Sequence, residues 1–582
     1  MRNGRGKMAG KGDSHGITYL SKKSRMTGAR FFAETFKAYG VTHVFYVEAI
    51  LRRGLVEMEA LGIERVLTHG EKAAAYMADG YARASHRPGI CMAQSVGAAN
   101  LSAGLQDPFL GLSPVIAITG RKPPIAQHRH AYQEIDHNPM FTPLTKYNVV
   151  VEAIEQLPYL LRQAFRAATS GAPGPVHLDL QGFEGEATAM AEGEFDVIVE
   201  EAFTRYPSVR PEPDPEMVRE AAELIEDAER PVIVAGGGAA ASLAGPEIVK
   251  LAEMLSIPVV TSLNGKGTIV ETHPLSVGVA GTYGRWCANF VVSEADLVIF
   301  IGSHTGDQVT HSWTVPPLGT PVIQIDIDPS ELGRSYPNTV GLAGDAKVVV
   351  RRLIESISPK ATKAQWAQRA QRLVQRWREE MEPARASNAV PILPERLCKE
   401  LTDSLPPDAL LVSDTGFASL WTGTMVDLTH PGQASIRSAG SLGWGFPASM
   451  GAKCGAPERP VICFTGDGGF WYHIGELETA RRRNIKTVTV VNNNSCMIQC
   501  VRGINRAYGD DSGNKDAMYK FCETDFARIA EDMGCLGIRV ERPEEIGKAL
   551  KKAIASDLPA VVDVCTDPGH APPWPPPSYR KI

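Results

Sequence analysis

A Gly-Asp-Gly-Gly turn at 466–469 closes one apolar run, and three asparagines at 492–494 close the next. VICFT reads as a strand, IGELETARRR as a helix and KTVTVV as the following strand. Asp467 and Asn494 therefore stand at the carboxyl ends of two strands joined by one crossover. Neighbouring parallel strands lie about 5 Å apart, so two such side chains can share one ion. A carboxylate, an amide oxygen and backbone carbonyls are hard ligands that suit Mg²⁺ or Ca²⁺ rather than zinc. The glycines let backbone N–H groups approach a phosphate, and the helix start adds its dipole. The unit reads as a metal site joined to a diphosphate site.

The elements that must position these residues recur along the chain. VTHVFYV, GICMAQS, PVIAITG and PVHLDLQG are buried strands of a first segment, with KAAAYMADGYARA as a helix among them. PVIVAGGG, DLVIFIGS and PVIQIDID belong to a second segment, and LLVSDTG, PVICFTGDG, TVTVVNNN and AVVDVCTD to a third. Strands alternating with helices predict an α/β protein of three domains, each a mostly parallel sheet flanked by helices, with ligands at the carboxyl ends of strands. The expected organisation is a disordered lead-in at 1–25, with an organelle transit peptide as the alternative. A first domain at 26–190, a linker at 191–215, a central Rossmann-like domain at 216–355 and a linker helix at 356–387 follow. A third domain at 388–567 and a Pro-rich tail at 568–582 complete the chain. A length of 582 residues suits several cores, and a net charge of −6 argues against general nucleic-acid or membrane-surface binding. The ten cysteines include no CxxC, which points to a reducing, cytoplasmic setting with free thiols. No apolar run reaches the roughly 18 residues of a membrane span.

GDG, a spacer and NN resembles the thiamine-diphosphate-binding motif of thiamine-dependent enzymes. From about Thr27 to Asp567 the chain is similar to the superfamily of acetolactate synthase, oxalyl-CoA decarboxylase and benzoylformate decarboxylase. Its order of pyrimidine-binding, central and diphosphate-binding domains also fits. The resemblance implies thiamine diphosphate and Mg²⁺, with Asp467, Asn494 and the backbone carbonyl of Cys496 as metal ligands and Gly468 and Gly469 at the diphosphate. It places Thr415 and Gly416, in SDTGFASLW, on another cofactor-contacting loop. In SAGSLGWGFPASMGAK it gives the carbonyl of Gly440 to the 4′-amino group and sets Leu442 beneath the thiazolium ring. By its own chemistry Leu442 reads as core packing. Glu71, in THGEKAAAYMADGYARA, matches the catalytic glutamate that bonds N1′ of the aminopyrimidine. A carboxylate in an apolar site beside that nitrogen shares a proton with it and favours the imino tautomer, which removes the C2 proton. From its position alone, Glu71 reads as a dipole-complementing residue at a helix start. The cofactor of such enzymes sits between the first domain of one subunit and the third of another, which implies a homodimer or homotetramer.

The pattern departs from relatives near the substrate. VFYVEAI puts Glu48 and Ile50 where small turn residues are usual, and QSVGAAN replaces a Gly-Pro-Gly signature. Glu48 reads either as a new acid/base group or as a salt-bridged structural residue. Gln133, in AYQEIDH, is expected to line the active site, with His128, His130 and His137 close by in sequence. Gln499 sits where relatives place a substrate-facing residue, with a helix-surface amide as the other reading, and Cys500 replaces a glutamate of pyruvate decarboxylases, whose histidine dyad is also missing. AGGGAAA, at 235–241, is a weak dinucleotide fingerprint, and the resemblance leaves FAD, ADP or nothing in the central domain. The expected function is thiamine-diphosphate- and Mg²⁺-dependent decarboxylation of a 2-oxo acid with carboligation, as in acetolactate synthases. One alternative is a 2-hydroxyacyl-CoA lyase or oxalyl-CoA decarboxylase, with Arg121, Lys122 and Arg129 as candidates for the acyl-CoA phosphates. The other is an inactive thiamine-diphosphate-binding scaffold.

Overall fold

The computed structural model describes residues 16–19, 23–337, 339–358, 362–570 and 572–573. The expected lead-in before residue 16 and the tail beyond 573 lie outside the described residues. The chain divides into two compact units, Met1–Val209 and Arg210–Ile582. The first holds one six-stranded sheet and the second holds two.

The first sheet runs from edge to edge as Glu64–Leu67, His43–Tyr46, Gly89–Gln94, Val115–Arg121, Val176–Gln181 and Tyr147–Val151, all parallel. In chain order this is 2-1-3-4-6-5. Its central strands are buried on both faces, as in GICMA and VIAIT, which is why they read as unbroken apolar runs.

In the second unit, one sheet runs Ser276–Val279, Val259–Thr261, Pro231–Ala235, Leu297–Ile301, Val322–Asp326 and Val340–Ala343, again parallel, in the doubly wound order 3-2-1-4-5-6. The other runs Ala434–Arg437, Leu410–Ser413, Val461–Gly466, Val488–Asn493, Ala560–Cys565 and Leu536–Val540, parallel, and repeats the 2-1-3-4-6-5 order of the first unit. Each sheet has helices packed on it, so the three-domain α/β expectation holds. Among the described residues no helix is long and apolar enough to cross a membrane.

The expected lead-in and first linker need correcting where they are described. Ile17–Tyr19 pairs antiparallel with Ile198–Glu200, and Ser24–Thr27 pairs with Glu192–Phe195. Charge assists the pairing: Arg25 Nε donates to Glu192 at 2.9 Å, and Lys23 Nζ lies 3.6 Å from Glu194. A basic segment and an acidic one, each irregular when read alone, complete each other's backbone hydrogen bonds.

The helix Ala364–Arg385 buries Trp366, Ala370, Leu373, Val374 and Trp377 in one stripe, within a core that includes residues of both sheets of the second unit. Trp377 also stacks under the buried Arg285, whose guanidinium lies 4.3 Å from the ring centroid. That guanidinium bonds Asp427 at 2.5 Å and the Thr424 carbonyl at 2.9 Å. Trp377→Ala removes both the ring and the face that covers Arg285. We expect a loss of about 3–5 kcal/mol and a clear fall in melting temperature by circular dichroism. An unchanged melt would show that this helix contributes little.

Candidate functional site

In the first unit, Glu71 is the first residue of the helix Glu71–Ser85 and is half-buried. Thr68 Oγ1 shapes the preceding turn by donating to the Gly70 carbonyl at 3.0 Å. The small residues of KAAAYMADG let the helix press against the sheet: a Cβ on Gly89 would lie 2.0 Å from the Ala78 carbonyl oxygen. A buried ion cluster anchors the far end, with Arg83 bonding Asp79 at 2.8 and 2.9 Å and Asp107 at 3.3 Å. At the near end, Asn100 Nδ2 donates to Glu71 Oε2 at 3.1 Å. A Cβ on Gly97 would lie 2.5 Å from Glu71 Oε1, so a side chain there would displace this carboxylate. The divergent segment QSVGAAN thus supports Glu71 directly. Gly97 and Asn100 escaped the sequence reading, and the one signal was a small-residue helix start ending in Asn.

Gln133 has φ +58°, and its carbonyl accepts from Ser95 Oγ, tying the AYQEIDH loop to the QSVGAAN segment. Among the described residues its side-chain Oε1 is buried without a hydrogen-bond partner, as is Oε1 of Gln94. Glu134 closes the loop on itself by accepting from the amides of His128 and Ala131 at 2.6 and 3.1 Å.

Other candidates move away from the site. Ile50 is wholly buried in the first core, so it is a packing residue rather than a pocket residue. Glu48 accepts from Arg52, which also reaches Glu184 at 2.9 Å, and this favours the salt-bridged reading. His137 is buried against Asp179 at 3.0 Å. Its neighbour His177 is driven down to about 3 by burial and is neutral. Of the residues proposed for CoA, Arg121 lies 3.9 Å from Asp179 and Lys122 sits 4.0 Å over the Phe183 ring.

In the second unit, Asp467 follows the strand Val461–Gly466 and is buried. Its Oδ1 accepts from the Gly468 amide at 2.8 Å and its Oδ2 from the Cys496 amide at 3.0 Å. Burial pushes the carboxyl up to about 6, against the pull of four backbone amides, those of Gly468, Cys496, Ser495 and Asn494. A divalent cation would offset that cost.

The three asparagines separate by partner. Asn492 accepts from Thr566 at 2.7 Å and Asn493 donates to Asp563 at 2.8 Å, so both are used inside the sheet. Asn494 lies beyond the strand, where its Oδ1 accepts from Cys496 Sγ at 3.2 Å. Ser495 and Met497 bond to Phe521 and Tyr519 on one side. The Cys496 N–H faces Asp467. The Asp467 carboxylate and the Asn494 amide follow the ends of adjacent strands, and both are hard oxygen donors of the kind that suits Mg²⁺.

The surrounding turns are close-packed. A Cβ on Gly468 would meet Met497 Sδ at 2.7 Å, and one on Gly469 would meet Asp414 Oδ2 and Thr465 Oγ1 at 2.8 Å each. Gly440 is open at that position, and Leu442 is half-buried rather than part of the core. Gly416 has φ +70°, and a Cβ there would lie 2.6 Å from Gln499 Oε1. Gln499 Nε2 donates to Tyr283 at 2.7 Å, so the substrate-facing candidate and the Thr415–Gly416 loop meet. Cys500 is exposed on the same helix. In the central domain the glycine turn packs against another loop, since a Cβ on Gly236 would lie 2.1 Å from the Gly302 carbonyl oxygen.

Known proteins match this chain along nearly its whole length. Residues 26–140 match the thiamine pyrophosphate enzyme N-terminal TPP binding domain, 218–353 the central domain and 414–564 the C-terminal TPP binding domain. A probable acetolactate synthase large subunit of Methanocaldococcus jannaschii is 34% identical, over 95% of this chain and 94% of that relative. The acetolactate synthase of Arthrospira platensis is 32% identical over 93% of this chain and 94% of its own. The acetolactate synthase isozyme 2 large subunit of Escherichia coli K12 is 30% identical over 93% and 96%. With Glu71, Asp467 and Asn494 all inside the matched segments, the chain belongs to the thiamine pyrophosphate enzyme family.

Proposed function

We propose that the protein catalyses thiamine-diphosphate- and Mg²⁺-dependent decarboxylation of a 2-oxo acid followed by carboligation, the reaction type of the acetolactate synthases it resembles. The observation that carries this reading is the pairing of two intact half-sites. In one, Asn100 holds the Glu71 carboxylate beside Gly97; in the other, Asp467 and Asn494 follow the ends of neighbouring strands, with the Cys496 amide on Asp467. When bound, the cofactor supplies a thiazolium ring that acts as electron sink as CO₂ leaves.

The chain's own residues do the rest. Asp467, Asn494 and Cys496 hold the metal, and the amides of Gly468 and Gly469 face the diphosphate. Glu71 holds a proton at N1′ of the pyrimidine, and the Gly440 carbonyl accepts from its 4′-amino group. Thr415 and Gly416 form a further cofactor wall, and Leu442 supports the ring from beneath. Gln133 and Gln499 orient the substrate. This reading leaves FAD, ADP or nothing in the central domain, and any flavin there would be structural, because the chemistry needs no hydride acceptor. The ten free cysteines suit a cytoplasmic enzyme.

We place the complete site between the first domain of one subunit and the third of its partner, in a homodimer or a tetramer of such pairs. Exposed apolar residues near each half-site support this: Val96, Phe109 and Leu110 in the first unit, and Trp471 and Tyr472 beside the Gly-Asp-Gly turn in the second.

Release of CO₂ from pyruvate and other 2-oxo acids, with thiamine diphosphate and Mg²⁺, tests the activity. We expect acetolactate from pyruvate and a loss of turnover on the order of a hundredfold or more in Glu71→Ala. Turnover of oxalyl-CoA alone would instead assign the CoA branch. Asn100→Ala is expected to lower kcat by about tenfold without changing the melting temperature. The shared site has its own test. Glu71→Ala and Asp467→Ala are each inactive, but co-refolding them in equal amounts should restore about a quarter of the sites, because each mixed dimer holds one intact pair. No recovery would place both groups in one chain or exclude the dimer.

A further inference from the structure

In the third sheet the strand order reverses between Leu410–Ser413 and Val461–Gly466, the switch point at which open α/β sheets bind ligands. Asp414 leaves the first of these strands and is fully buried. No motif drew attention to it. Its Oδ1 accepts from the amides of Thr415 at 2.7 Å and Gly443 at 3.1 Å. Its Oδ2 accepts from the Gly445 amide at 3.2 Å and from the Thr465 hydroxyl at 3.1 Å.

One carboxylate thus joins the Thr415–Gly416 loop, the segment from Gly440 to Gly445 and the strand end that leads into Gly-Asp-Gly. The glycines around it leave space for it and no more: a Cβ on Gly469 would lie 2.8 Å from Oδ2, and one on Gly445 would lie 3.0 Å from the Asp414 Cβ. Gly443, at φ +86°, takes a backbone shape that turns its amide to the carboxylate. Burial pushes this carboxyl up to about 6 against the amides that oppose it. Retaining a buried charge there costs stability that apolar packing would not.

We propose that Asp414 is a positioning residue for the cofactor: its carboxylate fixes the spacing of the three loops that hold thiamine diphosphate and acts through them rather than on reacting atoms. The inference rests on the cofactor reading above. Asp414→Asn keeps the volume but presents an N–H₂ group to one set of donors, leaving the Gly445 amide without an acceptor. Thr465→Val removes a single donor and serves where the first variant folds poorly.

Titration of the full-length apoprotein with thiamine diphosphate at fixed Mg²⁺, read by tryptophan fluorescence, gives Kd, and the apoprotein melt reports the fold. The expected result for Asp414→Asn is a Kd raised by about tenfold or more, with the melt held within about 3 °C. Saturating cofactor should restore at least about a third of wild-type kcat on pyruvate, since the defect lies in binding. Thr465→Val should raise Kd about threefold. A wild-type Kd in a folded Asp414→Asn protein overturns the proposal, as does a kcat loss that excess cofactor cannot rescue. If Asp414→Asn does not fold, a wild-type Kd in Thr465→Val overturns it. If the wild-type protein itself does not bind thiamine diphosphate, the cofactor reading fails first and this inference with it.

Discussion

Two buried carboxylates, Asp414 and Asp467, stand at the ends of adjacent strands of one parallel sheet and carry their charge on backbone amides and a hydroxyl. Neither forms an ion pair among the described residues, and burial raises both. A carboxylate in that position is costly unless its surroundings are polar and fixed. The surrounding glycines provide this, because only they let backbone N–H groups crowd around an oxygen at hydrogen-bond distance. Much of the third domain's irregular backbone follows from that one requirement.

The first domain meets the same requirement in another way. Its carboxylate, Glu71, is held by a side-chain amide and by the space that Gly97 leaves. The helix behind it is locked by a buried Arg83–Asp79–Asp107 cluster. Rigidity near the reacting groups therefore comes from polar contacts at the ends of elements, while apolar packing sets the position of the elements themselves.

Sequence reading reached the parallel strands because their apolar runs end abruptly in Gly, Asp or Asn, which is a local signal. It put forward Asp467 and Asn494 as candidates for the same reason, and Glu71 through resemblance. It did not reach Asn100, Ser95 or Asp414, whose partners are set by loops that meet only in three dimensions. Ile50 misled because hydrophobic character cannot say whether a side chain faces a pocket or a core. The expected linker misled because strand pairing across the whole first unit leaves no mark in a short window of residues.

That last pairing bears on how the chain is made. Ile17–Tyr19, the first described strand, has its partner at Ile198–Glu200, roughly 180 residues further along. During synthesis the earliest of these residues leaves the ribosome with its backbone groups unpaired and waits until the first sheet is complete. Lys23 and Arg25 follow this waiting segment, where like charge discourages pairing with another nascent chain. Glu192 and Glu194, made just before Ile198–Glu200, carry the charge that meets Arg25 and Lys23.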